Sequence, residues 1–92
     1  MSAKAYRVEA IKCSGQSFDL SSDEDLVNFL NWEERLLGQL NESGSGLVEI
    51  SVETLKKALT EVNLRPETKK AVENDIDWAK RKNQDWIRYY FF

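Results

Sequence analysis

The groups able to do chemistry in this chain are carboxylates, lysines, one thiol, and an arginine set among aromatic rings, because the sequence contains no histidine. Without imidazole the commonest general base and zinc ligand are missing, and so is every Ser-His or Cys-His nucleophile. Asp23-Glu24-Asp25 is the densest acidic run. Calcium loops need alternating oxygen ligands and a glycine, so the run reads as a helix start rather than a metal site. Ser21 with Glu24 fits a capping box, and three carboxylates suit the positive end of the helix dipole. Glu33 falls within the apolar arc of the helix that follows, beside Trp32, and Asp75 sits beside the stripe of a later helix. A carboxylate half-buried against an indole would have a raised pKa and could carry a proton, and the two acids would form a pair if their helices packed together. A core-margin charge next to a Lys or Arg is the simpler reading of each. Cys13 is the only cysteine, which excludes internal disulfides and cysteine-based metal clusters. Its reactivity would need a neighbouring cation, and Lys12 points to the opposite side of a regular strand. The sequence therefore predicts no catalysis, no cofactor and no metal.

Two other constellations point to binding. Five of the ten aromatic residues lie in Trp86-Ile87-Arg88-Tyr89-Tyr90-Phe91-Phe92. Strand alternation divides this segment into a core face of Ile87, Tyr89 and Phe91, and a second face of Trp86, Arg88, Tyr90 and Phe92. An arginine among three aromatics is the composition of base-stacking surfaces and of protein hot spots. The net charge of −3 favours a protein partner over nucleic acid, and a homodimer joining two such faces is the simplest version. The second constellation is Lys69, Lys70, Lys80, Arg81 and Lys82, on a helix 66–83 that follows a helix 51–62 after a short turn. That is the spacing of a helix-turn-helix DNA reader. Glu67, Glu73, Asp75 and Asp77 share the helix and oppose its entry into a groove lined with phosphate. The DNA reading is the alternative to the protein-binding one.

The elements that must position these residues are legible from periodicity. Tyr6-Arg7-Val8-Glu9-Ala10 alternates apolar with charged and predicts a strand continuing to Cys13, a turn at Ser14-Gly15-Gln16, and a short return strand through Phe18 and Leu20. Leu26, Phe29, Leu30, Leu36, Leu37 and Leu40 predict one amphipathic helix ending near Gly38 to Asn41. Residues 41–46 have the composition of a flexible Gly/Ser surface loop, without the lysine of a phosphate-binding loop. Leu47 to Ile50 predicts a four-residue strand. Ser51 then caps a helix striped by Val52, Leu55, Ala58, Leu59 and Val62, with Ile50 and Leu55 as a hydrophobic staple. Pro66 opens the next helix, striped by Val72, Ile76 and Ala79, because its missing N–H is one the first turn leaves unpaired.

Ninety-two residues, 41% hydrophobic and 32% charged, predict one small globular domain spanning 1–92. Charge is uneven: four Lys/Arg against eight Asp/Glu in residues 1–46, nine against eight in 47–92. No apolar run approaches the roughly 20 residues that span a bilayer, and Lys4 and Arg7 precede no apolar stretch of the kind a signal peptide has. A cytoplasmic, acidic domain is expected. The fold class is α+β, in the order β-β-α-(β)-α-α-β: an N-terminal hairpin and the C-terminal strand form a small antiparallel sheet against three helices. The terminal strand is expected to pair with the first.

Five aromatic side chains hold about 750–1,250 Å² of surface, and hiding it gains more, gross, than the net ~5–15 kcal/mol of a small domain. Deleting residues 86–92 is therefore expected to abolish the cooperative thermal transition. An unchanged melt of the truncated chain, followed by circular dichroism, would show the segment to be dispensable for folding.

Overall fold

A computed structural model describes Cys13 and residues 15–91. In chain order the elements are helix α1 (Glu24–Glu34), a short 3-10 helix (Leu36–Gln39), strand β1 (Gly46–Ser51), helix α2 (Val52–Glu61), helix α3 (Pro66–Arg81) and strand β2 (Trp86–Phe91). Among the described residues, three α-helices and a two-stranded antiparallel sheet make the fold α+β. The strand expected at 6–13 falls almost wholly outside the described residues, and so does its expected pairing with the terminal strand. Among the described residues β2 pairs with β1, in the register Gly46↔Phe91, Val48↔Tyr89 and Ile50↔Ile87.

That register places Val48, Ile50 and Ile87 in the core with Leu26, Leu30, Leu36, Leu55, Val72 and Ala79. Residues 17–20, expected as the return strand, form no strand. Phe18 leaves the sheet pattern to pack its ring edge-on against Tyr89 and Phe91, with centroids 5.1 and 5.5 Å away. Packing against the aromatic strand replaces ladder pairing there.

The predicted first helix is also shorter than its apolar spacing implies. α1 stops at Glu34 because Arg35 turns left-handed (φ 54°), and its N–H still reaches the Asn31 carbonyl at 3.0 Å. The Asn31 side chain then accepts from the Leu37 N–H at 3.1 Å. The break rotates Leu36 into the core and leaves Leu37 exposed, so a single 100° periodicity could not serve both. Downstream, Gly46 has φ +148°, and a Cβ there would stand 3.2 Å from the Gln39 carbonyl oxygen, so the entry to β1 requires glycine. The expected starts of α2 and α3 hold. Ser51 Oγ accepts from Thr54 N–H at 3.1 Å, and Pro66 sits in the first turn of α3.

At the start of α1 the expected capping box is not formed. The N-cap position belongs to Asp23, and its side chain makes no cap bond. Ser21 instead donates its N–H and its hydroxyl to Asp19 Oδ1, at 3.0 and 3.2 Å, and the Ser22 N–H donates to the same oxygen. Asp23 is occupied elsewhere. Its side chain is 2% exposed and takes both Arg65 Nε and Nη2 at 3.0 Å, Thr68 Oγ1 at 2.6 Å and the Asp19 N–H at 2.9 Å. Four donors satisfy a buried carboxylate that would otherwise be costly, and they fasten the head of α1 to the head of α3.

Burial works to raise the Asp23 pKa, but the hydrogen bonds from Arg65, Thr68 and Asp19, with the Arg65 charge, together hold it below the ordinary carboxylate value. A lowered pKa means stability that is complete above the unfolded value, about 3.9, and lost as pH falls through the folded one. Asp23→Asn should cost about 2 kcal/mol at pH 7, and the gap to the parent protein should close as pH drops below about 4. A gap that stayed constant from pH 7 to pH 2.5 in chemical denaturation would remove this account.

Candidate functional site

The side chains of β1 and β2 alternate, and the register decides which of them share a surface. The rows Leu47↔Tyr90, Glu49↔Arg88 and Ser51↔Trp86 point away from the core. Their exposure is 53% for Leu47, 50% for Trp86 and 39% for Tyr90. In the middle row Arg88 Nη2 lies 3.2 Å from Glu49 Oε1, both side chains well exposed. The second face of the terminal strand is therefore open to solvent in Trp86, Arg88 and Tyr90. The Phe92 side chain lies outside the described residues. Leu47 and Glu49, which the sequence reading did not assign to this surface, complete it. The period-2 pattern of Leu47 to Ile50 carried that information, but not which side of the strand would be covered.

An open groove passes Trp78, Trp86, Arg88 and Tyr90 and reaches a polar cluster on the other side of β2. There Asp75 Oδ2 accepts from the Tyr89 hydroxyl at 2.7 Å and from Ser17 Oγ at 2.5 Å. Burial, then the Asp75 charge and the hydrogen bond to it, push the Tyr89 phenol far above its ordinary value, and the Ser17 bond opposes this weakly. Both hydroxyls spend their protons on one carboxylate, an arrangement that anchors the sheet to α3 and holds Tyr89 neutral.

The acid pair considered from the sequence is not assembled. Asp75 belongs to the Ser17–Tyr89 cluster, whereas Glu33 binds Lys57 Nζ at 2.9 Å. That hydrogen bond and charge raise the Lys57 pKa, and Glu33 is an exposed carboxylate paired with a lysine rather than one at the core margin. Trp32 is exposed beside it rather than covering it. Cys13 is exposed. Among the described residues no group of acidic or cysteine side chains is placed to hold a metal ion, and no helix is long and apolar enough to cross a membrane.

The α2–α3 helix pair is present, joined by residues 62–65, and Lys69, Lys70, Lys80, Arg81 and Lys82 are all exposed. They form two groups rather than a stripe. Lys70 and Lys80 are ten residues apart, about 15 Å of helix axis, with exposed Glu73 and Asp77 between. Arg81 lies 3.4 Å from Asp77. No protein-family model matches this chain, and neither does any curated protein or solved structure.

A tyrosine whose pKa is raised by folding keeps its proton where the unfolded chain releases it, so its contribution is complete below about pH 10 and falls above. Tyr89→Phe should cost about 1–2 kcal/mol at pH 7, and the parent protein should lose that advantage between pH 10 and 11. Denaturation curves at pH 7 and 11 with an identical gap would contradict the assignment.

Proposed function

We propose that this chain is a small non-catalytic interaction module that binds protein through the outer face of its sheet. The observation that carries the reading is the row of half-exposed apolar side chains, Leu47, Trp86 and Tyr90, flanking the Glu49–Arg88 pair on a hydrogen-bonded ladder. Tryptophan, tyrosine and arginine are the residue types that dominate binding energies at protein interfaces. A ladder fixes their backbones before any partner arrives, which lowers the entropy lost on association. The acidic net charge supports a protein partner over a nucleic acid, as does the interleaving of acids with the basic residues of α3. One cysteine in 92 residues is in keeping with a cytoplasmic setting, where disulfides are rare.

Quantitative capture from cell extract separates this reading from DNA binding. Leu47→Ser/Trp86→Ala should reduce recovery of bound protein at least tenfold while the melting temperature stays within a few degrees of the parent. Lys69→Glu/Lys70→Glu/Arg81→Glu should leave recovery unchanged. Full recovery by the first variant would reject the sheet face. Loss in the second alone, together with a salt-dependent shift of duplex DNA by the parent, would favour the helix pair as a DNA reader.

A further inference from the structure

The outer face is complementary to itself. Two sheets can stack face to face about a two-fold axis lying in the plane between them, either across the strands or along them. An axis across the strands through the middle row sets Glu49 against a second Glu49 and Arg88 against a second Arg88. An axis along the strands, midway between β1 and β2, exchanges the two columns. Glu49 then faces the partner's Arg88, Arg88 faces the partner's Glu49, and the two intrachain pairs become one cluster of four alternating charges.

The flanking rows obey the same exchange. Leu47 comes opposite the partner's Tyr90, and Trp86 opposite the partner's Ser51, a large ring over a small side chain. Stacked sheets lie about 10 Å apart, a separation that Arg and Glu side chains together can span. The natural twist of the sheets displaces the outer rows more than the middle row at the centre of the contact, so the charged row sets the register.

Resting on the reading of this face as the binding surface, we infer that its partner is a second copy of this chain, joined in an isologous dimer about a two-fold axis parallel to the strands. The contact involves two short strands per copy, less than the roughly 800 Å² per partner of a standard stable interface. Association is accordingly weak and concentration-dependent, with a Kd on the order of 10–100 µM.

Charge exchange tests whether the charged rows of two copies meet. Glu49→Arg carries two arginines in the middle row and Arg88→Glu carries two glutamates, so each variant alone meets only like charge across the axis. Mixed in equal amounts, they place arginine opposite glutamate at both positions. Sedimentation equilibrium from about 10 µM to 1 mM should show the parent protein dimerising, each variant at least tenfold weaker, and the mixture recovering a heterodimer near parental affinity. Both sites are exposed, and circular dichroism of each variant confirms that it is folded. A parent protein monomeric at 1 mM overturns the inference. So does dimerisation by either single variant at parental strength, or a folded mixture that stays monomeric. A monomeric parent leaves the face itself to be judged by capture with Leu47→Ser/Trp86→Ala, so the two readings fail separately.

Discussion

The pairing of β2 with β1, forty residues apart in the chain, is the constraint on which the rest of the structure depends. Its register commits Val48, Ile50 and Ile87 to the core, and by the same period of two it commits Leu47, Trp86, Arg88 and Tyr90 to the opposite side. A slip of one residue would bury Arg88 and Glu49 and expose the isoleucines. Several features work against such a slip. Gly46 enters β1 in a conformation only glycine adopts readily, Ser51 leaves it as the cap of α2, and the Val52 N–H closes on the Asp85 carbonyl at 2.8 Å where the two strands meet their helices. Tyr89, held to Asp75 on α3, ties the inner face down from the far side.

The helices are attached to this ladder by polar contacts as much as by apolar packing. Asp23 joins α1 to α3, Glu34 Oε2 accepts from the Ser51 N–H at 2.9 Å where β1 passes into α2, and Asp75 joins α3 to β2. Each is a carboxylate satisfied by donors from a distant element. In a domain this small the apolar core is limited, and these hydrogen-bonded carboxylates, Asp23 buried and Glu34 and Asp75 partly buried, favour one arrangement of the helices over others of similar hydrophobic content.

Local signals in the sequence proved the most legible. The alternation of residues 86–91, the Ser51 cap, Pro66 at the head of α3 and the strand at 47–50 all appear where their residue types require. What escaped was long-range. Asp23 has the sequence of a helix cap, but Arg65 and Thr68, more than forty positions later, recruit its carboxylate, and nothing near Asp23 encodes that. Arg35 ends α1 although the leucine spacing continues, because Leu36 is needed in the core at a different angle from Leu37. Phe18 alternates like a strand residue but is held by the Tyr89 and Phe91 rings. The outer face was half legible: alternation divided Trp86–Phe91 as the structure does, while Leu47 and Glu49 joined it only through a register that spacing cannot supply.

The placement of an ion pair at the centre of an otherwise apolar face has a consequence for selectivity. A plain hydrophobic patch on a short two-stranded sheet would accept any apolar surface, aggregates included. Covering Glu49 and Arg88 with such a surface strips water from both charges, and their mutual attraction across 3.2 Å only partly offsets that loss. A surface that presents the opposite charge to each recovers it. In the binding role proposed for this face, the pair therefore penalises unmatched partners more than it strengthens matched ones, and Leu47, Trp86 and Tyr90 provide attraction that becomes usable only when the charges are answered.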